Sequence, residues 1–138
     1  MRFPALSRTA AALAVAACLV PLASTPAAAD SPADDPHAFL TLVIQPLEGT
    51  PSSQGDVLTL ECGPDGGTHP TPEAACDSLR AVDGDFEALP TRFALCPPVI
   101  WPVRFIAVGH WDGRGVYYSR VMGDRCSGSA ATDGVFPA

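Results

Sequence analysis

The chain contains 138 residues, with eight basic residues against fifteen acidic ones and a formal net charge of −7 at pH 7. Every basic residue is an arginine, because the sequence contains no lysine. A chain this acidic is a poor candidate for binding nucleic acid or an anionic membrane surface.

The N-terminal residues 1–29 have the pattern of a secretory signal peptide. Arg2 and Arg8 precede an apolar run, AALAVAACLVPLA, and the small residues Ala27–Ala29 follow it. This order predicts secretion to the extracellular space, with cleavage after Ala29. The apolar run is short for a membrane span, so a retained signal anchor is the less favoured alternative.

Cleavage would leave residues 30–138, which we expect to form one domain with a loose tail over residues 30–37. Cys18 would leave with the signal peptide, and four cysteines would remain: Cys62, Cys76, Cys96 and Cys126. An even number in an exported chain predicts two disulfides, for which three pairings exist. No metal or other cofactor is expected, because the chain has no C-x-x-C motif and its histidines are scattered.

The first half of the domain predicts two strands and then an irregular segment. The segment AFLTLVIQ, Ala38–Gln45, is rich in branched and aromatic residues, and DVLTLEC, Asp56–Cys62, alternates apolar with polar residues. Both patterns are typical of strands. The segment GPDGGTHPTP, residues 63–72, is dense in glycine and proline and predicts no regular element, with His69 in a structural turn hydrogen bond.

One helix is predicted over residues 71–82, TPEAACDSLRAV, where Thr71 can cap the first turn and Pro72 suits the first helical position. The segment GDFEAL, residues 84–89, is expected to add a helical turn. Residues 103–112 and 113–122 alternate apolar and polar side chains around a glycine-rich turn and predict a long hairpin. Strands dominate and one or two short helices cover one face, so the predicted class is α+β.

The segment CGPDGGTHPTPEAACDSL, residues 62–79, closely resembles the Streptomyces subtilisin inhibitor family. The segments AVDGDFEAL, Cys-Pro-x-Val and GHWDGRGVYYSRV, together with the last cysteine, follow in the order typical of that family. The resemblance covers nearly the whole of residues 30–138.

This resemblance implies a five-stranded antiparallel sheet with two short helices, disulfides Cys62–Cys76 and Cys96–Cys126, and a homodimer. It also implies a non-enzymatic, secreted inhibitor of extracellular serine proteases, chiefly subtilisin-like ones. Such inhibitors offer a rigid, substrate-like loop, and in this family the scissile bond lies two residues beyond the third cysteine. In this sequence that bond is Pro98–Val99.

The residues around the bond are expected to contact the protease: Leu95, Cys96, Pro97, Ile100 and Trp101. Pro97 and Pro98 restrict the backbone and favour an extended shape. Pro98 departs from the family, in which Met, Lys or Arg is common at this position. We therefore expect a protease that accepts proline or small residues, or weaker binding to ordinary subtilisins. Trypsin is not expected, because no Lys or Arg occupies position 98.

The sequence also permits three alternatives to an exposed inhibitory loop. Val99, Ile100 and Trp101 could instead belong to the core. Ser127, Ser129, His110 and Asp112 could be combined into a catalytic triad, but no nucleophile elbow accompanies them. Because Pro98 is atypical, the chain could also be a non-inhibitory or retargeted member. Such a member would be a secreted binding or structural protein, a metalloprotease inhibitor, or a transglutaminase substrate through Gln45 or Gln54.

Overall fold

The computed structural model describes residues 36–49 and 55–138. The predicted signal peptide, residues 1–29, and nearly all of the predicted tail lie outside the described residues, as does Gln54. Within the described ranges, no helix is long and apolar enough to cross a membrane.

A five-stranded antiparallel sheet forms the centre of the fold, in the order β3-β2-β1-β4-β5. Its strands are β1 (Ala38–Pro46), β2 (Asp56–Cys62), β3 (Gly66–Gly67), β4 (Val103–Trp111) and β5 (Arg114–Met122). The four long strands and the β4–β5 hairpin lie where the sequence predicts them. The prediction of an irregular segment over residues 63–72 is wrong at β3, because the backbone of Gly66–Gly67 pairs with Leu60 and Glu61.

Two helices, α1 (Pro72–Ala81) and α2 (Arg125–Ala131), accompany the sheet, and a short 3-10 helix, Phe86–Ala88, follows α1. The α+β class with two short helices is thereby confirmed, and α1 begins at Pro72 as predicted. The predicted cap by the Thr71 side chain is wrong, because that side chain makes no capping hydrogen bond. The Thr71 N–H instead donates to a side chain two residues earlier in the chain, at Nδ1 of His69, over 3.1 Å.

His69 joins the turn before α1 to the C-terminal segment. Its side chain is buried, and because Nδ1 accepts a hydrogen bond from Thr71, Nε2 carries the ring hydrogen. That Nε2–H donates to the carbonyl oxygen of Val135 at 2.9 Å. The predicted structural hydrogen bond of His69 is therefore confirmed.

The core lies on the side of the sheet where the helices pack. Alternation along β1 buries Leu40, Leu42 and Ile44 on that side. Phe105 of β4 packs against Phe136 with 4.7 Å between the ring centroids. A Cβ at Gly128 of α2 would overlap the Phe105 ring, so glycine permits the close approach of this helix to the sheet.

The opposite side of the sheet exposes a set of large apolar side chains. This set, called the outer face below, consists of Phe39, Val57, Val108, Tyr117 and Val121. The strand register places Val108 directly opposite Tyr117 on β5 and Thr41 on β1. The exposed side chains therefore come from four neighbouring strands and form one continuous surface.

Candidate functional site

The expected protease-contacting residues lie in a long connection without regular secondary structure, residues 89–102, between the 3-10 helix and β4. Leu95 is 88% exposed and Ile100 is 86% exposed, while Val99 and Trp101 are exposed by 53% and 59%. The alternative that Val99, Ile100 and Trp101 belong to the core is therefore wrong, because all three side chains are more than half exposed to solvent. The connection displays an apolar surface to solvent.

A disulfide ties this connection to α2 on the side that precedes the expected scissile bond. Cys96 is bonded to Cys126, which lies in the first turn of α2, and Cys62 is bonded to Cys76 of α1. Both pairings agree with those that the family resemblance implies. The Cys96–Cys126 bridge stands two residues before Pro98, so it limits the movement of the chain next to that bond.

Arg92 provides a second attachment to α2. Its backbone N–H donates to the carbonyl oxygen of Ala130 at 3.0 Å, and its guanidinium donates to Oγ of Ser129 at 3.1 Å. The guanidinium also lies against Gly134, whose φ of +81° favours glycine and where a Cβ would collide with it. Arg92 therefore fixes the start of the exposed segment through both its backbone and its side chain.

Backbone hydrogen bonds attach the connection on the side that follows the expected scissile bond. The Trp101 N–H donates to the carbonyl oxygen of Gly123 at 2.8 Å. The Pro102 carbonyl accepts a hydrogen bond from the Leu47 N–H at 2.9 Å. Residues 97–100 therefore form the tip of a loop that is held at both ends.

A tight turn at the tip was not predicted from the sequence. The Val99 N–H donates to the carbonyl oxygen of Pro97 at 2.8 Å, which closes a three-residue turn centred on Pro98. The chain thus bends at the expected scissile bond, so the expectation of an extended shape is wrong at Pro98. The hydrogen bond of this turn does not involve the Pro98 carbonyl, and Pro98 itself has no N–H to donate.

Asp124 stabilises the start of α2 and, through it, the anchor of the loop. Its carboxylate accepts hydrogen bonds from the Ser127 N–H, at 2.8 Å, and from the Ser127 hydroxyl. These hydrogen bonds lower the pKa of Asp124 below its ordinary value of 3.8, and the one from the Ser127 hydroxyl has the largest effect. Cys126 lies between the two residues, so the same cap helps to position the half-cystine.

The residues of the hypothetical triad are engaged in separate contacts. The Ser127 hydroxyl donates to Asp124, and Oγ of Ser129 accepts from Arg92 in a buried position. His110 stacks on Phe39 at the outer face, with 6.5 Å between the ring centroids. These contacts do not join serine, histidine and aspartate into a hydrogen-bonded relay.

Two groups of metal-ligand types exist within the described ranges, and each contains a disulfide. They are Cys62, Asp65 and Cys76, and Cys96, Asp124 and Cys126. Cysteine binds metal as a thiolate, and sulfur atoms bonded to each other are not thiolates. Neither group is therefore a metal site while its disulfide is intact.

Sequence reasoning missed Arg92 and Asp124 as parts of the site. For Asp124 a weak signal exists, since aspartate is among the residues preferred at a helix N-cap. For Arg92 no local signal exists, because its partners on α2 lie 37 and 38 positions further along the chain.

The chain is similar to a protein family and to known proteins over most of its described length. Residues 36–124 match the family model described as "Subtilisin inhibitor-like". "Subtilisin inhibitor-like protein 5" from Streptomyces fradiae is 42% identical over 96 residues, which are 66% of this chain and 90% of that protein. "Trypsin inhibitor STI2" from Streptomyces longisporus is 38% identical over 128 residues, 87% of this chain and 89% of that protein.

A solved structure has the same fold. It is the crystal structure of Streptomyces caespitosus sermetstatin in complex with Bacillus licheniformis subtilisin. The two chains are 30% identical with a TM-score of 0.55, over 73% of this chain and 98% of that one.

Proposed function

Because the chain belongs to the subtilisin inhibitor-like family, we propose that it is a secreted inhibitor of serine proteases. Its proposed reactive bond is Pro98–Val99. The observation that carries this proposal is an exposed apolar loop held to the body by the Cys96–Cys126 disulfide and by hydrogen bonds at both ends. The family and the relatives named above are inhibitors, which supports binding of a protease rather than catalysis.

Preorganisation accounts for tight binding. A protease receives its substrate as an extended segment along the edge of its own backbone, with side chains in alternate pockets. A flexible peptide loses binding free energy when it becomes ordered, whereas the segments on either side of Pro98, already fixed by their anchors, lose less. Only the turn closed by the Val99 N–H and the Pro97 carbonyl has to open for the segment to become extended. On this account Leu95 fills an apolar pocket on one side of the bond, and Ile100 and Trp101 contact the other side.

The same anchors explain why the loop would be cut slowly. After attack on the Pro98 carbonyl, the new amine of Val99 would stay attached to the body through the Trp101 hydrogen bond and β4. The acyl group would stay attached through Cys96. The amine therefore remains at high effective concentration near the acyl-enzyme, and resynthesis of the peptide bond competes with hydrolysis.

Pro98 narrows the choice of target. Its ring is compact and it offers no N–H to the protease backbone, so one carbonyl of the protease would be left unpaired. Such a loss costs about 1–3 kcal/mol, or roughly ten- to hundredfold in affinity. We propose a subtilisin-like protease whose main pocket accepts proline or a small side chain. The non-inhibitory alternative is not favoured, because the named relatives are inhibitors.

The outer face supports the proposal of a homodimer. Its side chains are large, apolar and exposed, with Val57 at 63% and Tyr117 at 77%. A continuous apolar surface of this kind is typical of a protein interface. A second copy of the chain could cover it without covering the loop, which leaves the sheet at the start of β4.

Cleavage mapping tests the proposed bond. The protein is incubated with a slight molar excess of subtilisin. The disulfides are then reduced, and the fragments are separated. A new N-terminus at Val99 that accumulates slowly is expected. Rapid cutting at many bonds, or cutting only elsewhere, would contradict the assignment.

A further inference from the structure

Phe93 is an exposed aromatic residue outside the segment assigned to protease contact. Its side chain is 88% exposed, as much as that of Leu95, which lies two positions further on. Residues 93–103 contain no charged side chain, although the chain as a whole carries a net charge of −7. A contiguous apolar stretch on an acidic protein is typical of a surface that becomes buried against a partner.

The backbone around Phe93 is already fixed. Arg92, immediately before it, is bonded through its N–H to Ala130 and through its guanidinium to Ser129. Cys96, three residues after it, is held by the disulfide to Cys126. Only Phe93, Ala94 and Leu95 lie between these anchors. The entropy cost of ordering this segment on binding is therefore small, and a side chain presented here keeps most of its binding free energy.

We propose that Phe93 is a second hydrophobic anchor for the target protease, beyond the one expected at Leu95. Both side chains project into solvent, each 88% exposed. A protease that binds this segment as an extended strand would contact Phe93 and Leu95 on the same side, with Ala94 facing away, because side chains two residues apart in a strand share a face. The partner surface is an apolar pocket or groove on the protease, five residues ahead of the scissile bond. This inference rests on the proposed function.

Such an anchor has a specific role in this chain. Pro98 makes a weaker primary contact than a long side chain, and an aromatic anchor further along the loop offsets part of that loss. It also makes affinity depend on a protease surface remote from the main pocket. Phe93 thereby contributes to selectivity among proteases with similar main pockets.

The test compares inhibition constants of the purified protein and three variants against subtilisin and a proline-specific serine protease, and uses whichever of the two the unaltered protein inhibits more tightly. Phe93→Ala should weaken inhibition about ten- to hundredfold, which is the range expected for losing burial of a phenylalanine. The loss should lie mainly in a faster dissociation rate. Phe93→Asp should weaken inhibition further, and the matched control Ala94→Ser should change it less than about twofold. Because the Phe93 side chain is exposed, the thermal unfolding midpoint should be the same for all four proteins.

The outcomes separate this inference from the proposed function. If the unaltered protein inhibits either protease and both Phe93 variants inhibit that protease equally well, the inference is overturned and the proposed function stands. If the unaltered protein inhibits neither subtilisin nor a proline-specific serine protease, both are overturned. A loss confined to the Phe93 variants, with the control unchanged, supports the second anchor.

Discussion

If the proposed reactive bond is right, Pro98 is the residue that most affects which protease the protein inhibits. Pro98→Met should strengthen inhibition of subtilisin about ten- to hundredfold, because it restores a long side chain and the missing N–H. Pro98→Lys should create inhibition of trypsin, a specificity for which a relative is named. Inhibition constants measured against both proteases check this prediction.

The matched control is Pro90→Met, which replaces another exposed proline before the Arg92 anchor. It should leave both inhibition constants unchanged. If the Pro98 variants also changed neither constant, Pro98 would not be the residue that enters the main pocket.

Asp124 gives the α2 anchor a dependence on pH. Its pKa is lowered in the folded protein because Ser127 donates to the carboxylate, so the ionised cap stabilises the fold at pH values above 3.8. That contribution is lost as the pH falls through the lowered pKa. Asp124→Ala should reduce the free energy of unfolding by about 1 kcal/mol at pH 7, as expected for loss of an N-cap. The difference in free energy of unfolding between this variant and the unaltered protein should become smaller below pH 4.

Denaturant unfolding at several pH values measures this difference, with the exposed Glu48→Ala as the control for loss of one carboxylate. A deficit of equal size at pH 7 and pH 3 would contradict the assigned role of the Asp124 charge. So would an effect of Glu48→Ala as large as that of Asp124→Ala.

At the scale of elements, the loop depends on α2. Replacing Cys96 and Cys126 together by serine should cost about 3 kcal/mol of stability and release the chain beside the proposed reactive bond. Subtilisin should then cut the loop as an ordinary substrate, and inhibition should become transient. Time courses of residual protease activity, with fragment analysis, check this prediction.

The second disulfide supplies a matched control. Replacing Cys62 and Cys76 by serine removes a bridge of comparable kind that lies away from the loop. At a temperature where this variant is folded, inhibition should persist. Tight, lasting inhibition without the Cys96–Cys126 bridge would refute the trapping mechanism.

Much of the fold could be predicted because its long strands and α1 have strong local patterns. Helix α2 was not predicted from its sequence, RCSGSAA, since Gly128 and two serines are weak helix formers. Its stability comes from the Asp124 cap, the disulfide and the close packing of Gly128 on Phe105. These are long-range or cap contacts, which periodicity does not reveal.

The candidate site was predictable in position but not in geometry. The third cysteine and the family resemblance located the loop, and Pro97 and Pro98 indicated stiffness. The turn from Val99 to Pro97 and the attachment of Arg92 to α2 depend on how distant segments pack. No residue spacing encodes them, so they became visible only in the folded chain.

At the scale of the whole molecule, the outer face predicts a dimer. Val108 lies at its centre, between Thr41 and Tyr117. Val108→Arg should weaken dimerisation by about a hundredfold or more, because an unpaired charge would be buried in the interface. Sedimentation equilibrium measures the dissociation constant. Ala74→Arg, which adds the same charge to an exposed position on α1, should leave it unchanged.

A monomeric unaltered protein at micromolar concentration would contradict the dimer. A Val108→Arg variant that still dimerised as tightly would show that the interface lies elsewhere. Neither result would decide the assignment of the loop, because no residue of the outer face belongs to the connection over residues 89–102.

The most direct test of the central claim is a tight-binding titration of the chain without its predicted signal peptide, residues 30–138, against subtilisin, with a proline-specific serine protease in parallel. We predict stoichiometric inhibition of at least one of them, accompanied by slow cutting only at Pro98–Val99. The protease that responds would identify the pocket that Pro98 fits. Undiminished activity of both proteases, with the protein intact or degraded as an ordinary substrate, would contradict the account.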